Sequence, residues 1–277
     1  QLLPPSEIMF SRAILRRLNL FNPILRHHSN NSQINIAFNE NSFFGFDHTG
    51  KKDKFYELEN DPVQSIPLKY NDYFEVHNMF TVKDLFDAKV HYGHKEGSLN
   101  ENMKPFIFGS RLGHLIIDLD QTAILLRDAL NFIAHVSYRQ GIILFITRHP
   151  QFSHLIEKTA KECKQYAHTR HWCKGLFTNS TVQFEAVTRL PDLCIFTNTL
   201  TTVFEDHLAI YDSAKMLIPT IGVVDTNCNP NLITYPIPGN DDSPSAMMLY
   251  CKLFKEAINR GVTKYKENLA THSSANI

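Results

Sequence analysis

Between residues 114 and 258, apolar runs of strand length alternate with stretches of helical period, which predicts an α/β protein. The expected architecture is a three-layer, flavodoxin-like domain with a mostly parallel, doubly wound sheet. Strands separated by helices of this length need right-handed crossovers, and the helices must then cover both faces of the sheet. A chain of 277 residues with 43% hydrophobic content can bury one sizeable core of this kind and leave residues for extensions.

The elements are read in chain order. Residues 114–119 (HLIIDL) form a buried strand, and Ile124, Leu125, Ala129, Phe132, Ile133 and Val136 then recur near every 3.6 residues. Gly141 stops that helix, and residues 142–147 (IILFIT) are the second strand. Phe152, Leu155, Ile156, Thr159 and Cys163 mark the next helix. A third strand at 193–197, a short helix at 205–215 and a fourth strand at 220–224 follow. The segment 243–258 closes the pattern as a helix whose apolar side includes Met247, Leu249, Tyr250 and Phe254.

The chain divides near residue 80, into an extension over 1–79, a domain over 80–262 and a polar tail over 263–277. Residues 8–39 contain no Asp or Glu, while Arg12, Arg16, Arg17 and Arg26 stand among Ile14, Leu15, Leu18, Phe21 and Leu25. This basic amphipathic segment reads either as an organellar transit peptide or as a basic arm kept on the protein. Residues 29–65 are expected to be mostly irregular.

Composition narrows the function classes. Lys plus Arg and Asp plus Glu both total 28, so no global positive field draws the protein to nucleic acid, and any such binding must be local. The five cysteines show no CxxC spacing, which fits a reducing compartment. Apolar runs are far shorter than the roughly 20 residues that cross a bilayer, so no membrane partner is expected. No GxxxxGK[ST], GxGxxG or GxSxG occurs, and with 11 glycines the chain offers no phosphate cradle or nucleophile elbow. Asp225-Thr226-Asn227 at the end of the fourth strand reads as a turn. In Gly239-Asn240-Asp241-Asp242-Ser243, Asp241 or Asp242 is expected to cap the last helix. His91 and His94 alone are too few for a structural zinc site, so no metal and no cofactor is assigned.

Two segments suit RNA. Residues 163–184 lack acids, and Lys164, Arg170 and Lys174 alternate with Tyr166, His168, His171, Trp172 and Phe177. Cations neutralise phosphates and planar rings stack on unpaired bases, although Trp172 is expected to pack beneath the loop. The second segment joins His91, Tyr92, Gly93, His94 and Lys95 to Lys104 and Arg111 around Met103, Pro105 and Phe106. There Gly93 permits close backbone approach.

These same residues carry a resemblance. Leu85-Phe86-Asp87-Ala88-Lys89-Val90-His91-Tyr92-Gly93-His94 and Asn102-Met103-Lys104-Pro105-Phe106-Ile107-Phe108-Gly109-Ser110-Arg111 are similar to the opening signature of the second protein of the small ribosomal subunit. Further matches are Ile116-Ile117-Asp118-Leu119, Leu176-Phe177-Thr178-Asn179, Pro191-Asp192-Leu193 and Ile218-Pro219-Thr220-Ile221-Gly222-Val223-Val224-Asp225-Thr226-Asn227. Tyr235-Pro236-Ile237-Pro238-Gly239-Asn240-Asp241-Asp242-Ser243 completes an ordered series over about residues 80–260.

The resemblance implies a flavodoxin-like, non-catalytic domain bound to ribosomal RNA on the solvent side of the small subunit, near the junction of head and body. Its partners would be that RNA and neighbouring small-subunit proteins, with no small-molecule substrate. Bacterial members carry a helical hairpin where only residues 180–190 stand here, and their Arg-Trp-Leu-Gly-Gly is His171-Trp172-Cys173-Lys174-Gly175. These departures and the basic amino terminus resemble the animal mitochondrial branch, which implies the mitochondrial matrix. The RNA-facing set expected is His91, Gly93, His94, Lys104, Arg111, Arg170, His171, Lys174 and, from the Leu-Phe-Thr-Asn motif, Asn179. Two other classes compete: a nucleotide- or metal-dependent enzyme on the same sheet, and a protein scaffold with little RNA contact.

Overall fold

The computed structural model describes residues 66–275 apart from 71, 187, 203 and 204. The basic segment 8–39 and the stretch 29–65 expected to be irregular lie outside the described residues.

Five strands form a parallel sheet: β4 (Ile143–Ile146), β5 (Tyr166–His168), β6 (Leu193–Phe196), β7 (Thr220–Val224) and β8 (Tyr235–Pro238). Three others form a separate antiparallel sheet: β1 (Tyr92–Lys95), β2 (Ile107–Arg111) and β3 (His114–Ile117), with β3 in the middle. The parallel order is β5-β4-β6-β7-β8, so the chain starts next to one edge, steps out to it, and then crosses back over. That is the doubly wound, flavodoxin-like order, with its switch point between β4 and β6.

The pleat divides two cores. Ile143 and Phe145 of β4, Leu193 and Ile195 of β6, and Ile221 and Val223 of β7 face one side. Ile146, Cys194, Phe196 and Val224 face the other. Because neighbours along a strand point to opposite faces, runs that are apolar throughout place one layer of helices on each side. The first layer holds α1 (Val82–Asp87), α2 (Leu119–Tyr138), α3 (Ser153–Glu162) and α6 (Pro244–Ala275). The second holds α5 (Leu208–Lys215) and the loop of Trp172 and Phe177, with the single turn α4 (Ser180–Gln183) following that loop.

Several expectations are corrected. The run 114–119 is not a strand of the parallel sheet: β3 buries Leu115 and Ile117, and exposes His114. This alternation is the mark of a one-sided antiparallel strand. The packed side of α2 is Thr122, Ala123, Leu126, Ala129, Leu130, Ile133 and Ala134, whereas Ile124 is exposed. Small residues dominate that side because α6 crosses closely: a Cβ on Gly261 would lie 2.5 Å from the Ala134 carbonyl oxygen. Gly141 does not itself take the left-handed turn after α2; Gln140 does, and a Cβ on Gly141 would meet Val136 at 2.7 Å.

The packed region also begins before residue 80, with Phe74 and Val76 in the first core. At the other end α6 continues beyond 262, where Tyr265 packs edge-on to Tyr138 and Asn268 donates to the Tyr138 hydroxyl at 2.7 Å. Four strands escaped the sequence reading: β1 and β2 of the antiparallel sheet, and β5 and β8 of the parallel one. β8 contains Pro236 and Pro238, which a central strand would not tolerate, but it stands at an edge. β5 is three residues long and partly exposed, so it carries no apolar run.

Candidate functional site

The carboxyl ends of the parallel strands, where open α/β sheets hold ligands, gather the polar groups of the domain. Arg148 and His149 follow β4, Asn198 follows β6, Asp225 follows β7, and Asn240, Asp241 and Asp242 follow β8. Asn198 accepts from the Arg148 N–H at 3.0 Å and from the Thr147 hydroxyl at 3.1 Å, tying the β4 and β6 ends together at the switch point.

β1 adds His94 to this edge. The His94 N–H donates to the Thr226 hydroxyl at 2.9 Å, and a Cβ on Gly93 would stand 2.4 Å from the Thr226 methyl. The close approach that Gly93 allows is therefore made by Thr226. The His94 ring lies between two carboxylates, with Nδ1 3.1 Å from Asp225 and Nε2 3.5 Å from Asp242. Its hydrogen bond to Asp225 raises its pKa to about 9 against the opposing effect of burial, with further help from the charges of Asp225, Asp242 and Asp241. Asp225 is 1% exposed. Burial first, and then the charge of Asp225, holds the Asp241 carboxyl well above the ordinary range. Among the described residues, His94, Asp225 and Asp242 form the one group of His, Cys, Asp or Glu close enough to share a metal ion.

Neither Asp241 nor Asp242 caps α6. Ser243 stands at that position, its carbonyl accepting from the Met247 N–H at 3.0 Å, while Asn240 Oδ1 accepts from the Asp242 N–H at 2.9 Å. Turn chemistry at Asn240 thus releases both carboxylates toward the strand ends.

The other expected residues separate into two surfaces. His91 is buried, stacked at 4.5 Å on Phe86 and set against Tyr92 at 4.2 Å, and burial lowers its pKa. A neutral ring enclosed in this way is no partner for a phosphate. Lys104 is exposed beside Glu101 at 3.3 Å, and Arg111 is exposed at the end of β2 next to the hairpin residue Leu112. Beyond β5, Arg170, His171, Lys174 and Asn179 are exposed, but Trp172 is 3% exposed. The indole N–H donates to Asp212 at 3.1 Å, and the Gly175 N–H donates to the same oxygen at 3.2 Å. One buried carboxylate from α5 therefore holds the loop while its cations point outward. His171 and Arg148 line a common cleft with Tyr211, and sequence reasoning missed Arg148 because a lone Arg after a strand carries no motif.

A family model described as ribosomal protein S2 matches residues 85–193 and 180–261. The bovine (Bos taurus) "Small ribosomal subunit protein uS2m" is 58% identical over 205 residues, covering 74% of this chain and 70% of that one. "Small ribosomal subunit protein uS2" from Rickettsia bellii (strain OSU 85-389) is 33% identical over 225 residues, covering 65% of this chain and 76% of the relative. Its counterpart in Rickettsia typhi is 34% identical over 226 residues, with 65% and 75% covered. The two overlapping matches to the family model meet at 180–193, where the chain is short of the hairpin expected from the resemblance. With matches spanning both sheets and the strand-end motifs, the chain belongs to the ribosomal protein S2 family.

Proposed function

We propose that this protein is a structural constituent of the mitochondrial small ribosomal subunit, acting in the mitochondrial matrix by binding ribosomal RNA and neighbouring ribosomal proteins. Its role is structural and not catalytic. The observation that carries the RNA contact is the loop beyond β5, which turns Arg170, His171 and Lys174 outward while Asp212 anchors Trp172 beneath them. Phosphate neutralisation needs such exposed cations on a rigid support. Lys104 and Arg111 form a second contact surface, and Asn179 offers an amide at the end of the first. His91, Gly93 and His94 support these surfaces from inside, because their rings and backbone are engaged by Phe86, Asp225 and Thr226.

The test is sedimentation of tagged protein from a mitochondrial lysate. Wild type is expected to co-migrate with the small subunit, and Arg170→Glu to remain in the light fractions while still folded. Co-migration of Arg170→Glu at wild-type level would remove this loop from the RNA contact.

A further inference from the structure

We propose that the cleft between the end of β4 and the start of α5 holds one unpaired guanosine of an RNA strand, with Arg148 on its phosphate and Tyr211 on its base. This rests on the RNA-binding reading above and adds to it a pocket that reads a base. The cleft has a volume of ≈ 450 Å³, the size of a small-ligand site. It opens where Arg148 follows β4, Thr201 follows β6 and His171 arrives from the loop beyond β5. That is the switch point of the sheet, the place where doubly wound folds hold ligands.

Arg148 is half-buried in the cleft, and only its backbone N–H is engaged, by Asn198. Among the described residues its guanidinium has no ion pair and no hydrogen bond, although Glu205 and Asp206 line the same space. A fork of N–H donors held in this way lacks an acceptor, which a phosphate supplies. Tyr211 is the second, independent feature. It is 43% exposed, yet its ring is fixed by the hydroxyl, which donates to Asp206 at 2.6 Å. The segment behind it is fixed too, since Leu200 pairs with Asp206 and the Thr201 N–H donates to the Glu205 carbonyl at 2.8 Å. A rigid, exposed ring loses little freedom when a base stacks on it. The floor is the buried Trp172 indole beside the His207 ring, with centroids 6.0 Å apart.

The acids of the cleft choose the base. A carboxylate repels a phosphate but accepts from the N–H groups of a base edge. Asp206 is engaged by Tyr211, whereas the Glu205 side chain is exposed and, among the described residues, unpaired. Guanine presents adjacent imino and amino donors on its Watson–Crick edge, which match the paired oxygens of a carboxylate. Uracil presents a single imino donor between two acceptors, and adenine an amino group beside an acceptor, so both fit less well.

The full chain would be titrated into fluorescein-labelled RNA pentamers AAGAA, AAUAA and AAAAA and followed by fluorescence anisotropy, with thermal midpoints to check that each variant is folded. Wild type is expected to bind AAGAA about tenfold more tightly than the other two, the worth of one good base-edge pair. Glu205→Gln should erase that preference. Tyr211→Ala should weaken AAGAA about tenfold, while Tyr211→Phe, which keeps the ring, stays near wild type. Arg148→Gln should weaken all three alike and lower the salt slope by about 0.7. Arg170→Glu, outside the cleft, should weaken all three without changing the preference, so the pocket and the loop surface fail separately. Binding with no preference for AAGAA, or a preference that survives both Glu205→Gln and Tyr211→Ala, overturns the pocket and leaves the loop surface standing. No binding to any pentamer also overturns it, and sedimentation of Arg170→Glu then judges the loop surface alone. Free guanosine monophosphate competing as strongly as unlabelled AAGAA would make the occupant a soluble nucleotide and overturn the RNA strand.

Discussion

At the scale of single residues, Arg170 and Trp172 are neighbours but one apart in sequence and opposite in role. Truncating a buried aromatic costs about 3 to 5 kcal/mol, a large part of a domain stability of about 5 to 15 kcal/mol. Trp172→Ala also removes one of the two N–H donors to the buried Asp212 carboxylate, so thermal unfolding should show a midpoint many degrees below wild type. Arg170→Glu should leave that midpoint within a degree or two, its defect being confined to assembly. Equal midpoints for the two variants would contradict this division.

His207 makes a second prediction at this scale. It is buried, and its Nδ1 accepts from the Ala209 N–H at 3.2 Å, which only the neutral ring can do. Burial first, and then electrostatic interaction with His168, Arg148 and His171, lowers its pKa from 6.5 to about 4, with the rings of Trp172 and Phe196 packed beside it. A depressed histidine pKa means that folding favours the neutral form. Its contribution is therefore complete above pH 6.5 and lost as pH falls toward 4, amounting to roughly 3 kcal/mol at about 1.4 kcal/mol per unit. His207→Asn keeps an acceptor for the cap and does not titrate, so its urea midpoint should fall less steeply between pH 6.5 and 4.5 than wild type's. Parallel curves would mean that His207 is not the group responsible.

At the scale of elements, the contact between α2 and α6 organises the first core. Gly261 lets the two backbones meet, since a Cβ there would lie 2.5 Å from the Ala134 carbonyl and 2.9 Å from the Ser137 Cβ. In an exposed helix, Gly→Ala stabilises by about 0.5 to 1 kcal/mol. Here the sign should reverse, because neither backbone can give way, and Gly261→Ala should destabilise by about 1 to 3 kcal/mol in urea unfolding. A more stable variant would show that the helices are farther apart than described. The same crossing explains why α2 places the small residues Ala134 and Ser137 opposite Gly261, while Ile124 faces out. Hydrophobic periodicity selects large residues, and a close helix pair prefers small ones.

At the scale of the molecule, formal net charge is zero, so RNA affinity must come from a few exposed cations and not from a global field. Replacing Lys104 and Arg111 together with Ala should lower the slope of log affinity against log salt by about 0.7 to 0.9 for each phosphate left without its cation. Filter binding of small-subunit RNA across a salt series measures it. An unchanged slope would mark both residues as solvated surface. Because Lys104 already pairs with Glu101, part of its contribution is spent in separating that pair.

The sequence by itself determined the flavodoxin-like class, the buried strands of the parallel sheet at 142–147, 193–197 and 220–224, and the helices between them. Strands buried on both faces and helices with one apolar side leave periodicities that survive without a structure. The ordered motifs likewise led to the ribosomal protein S2 family. Only the tertiary structure separated β3 from the parallel sheet, admitted the proline-bearing β8 at its edge, and carried α6 on to Ala275. It alone brought His94 to within 3.1 Å of Asp225, a residue 131 positions away, and turned Asp242 toward the same ring. Periodicity reports how a residue meets its own element, whereas a site assembled from the ends of several strands depends on how crossovers fold the chain back. No local pattern records that distance.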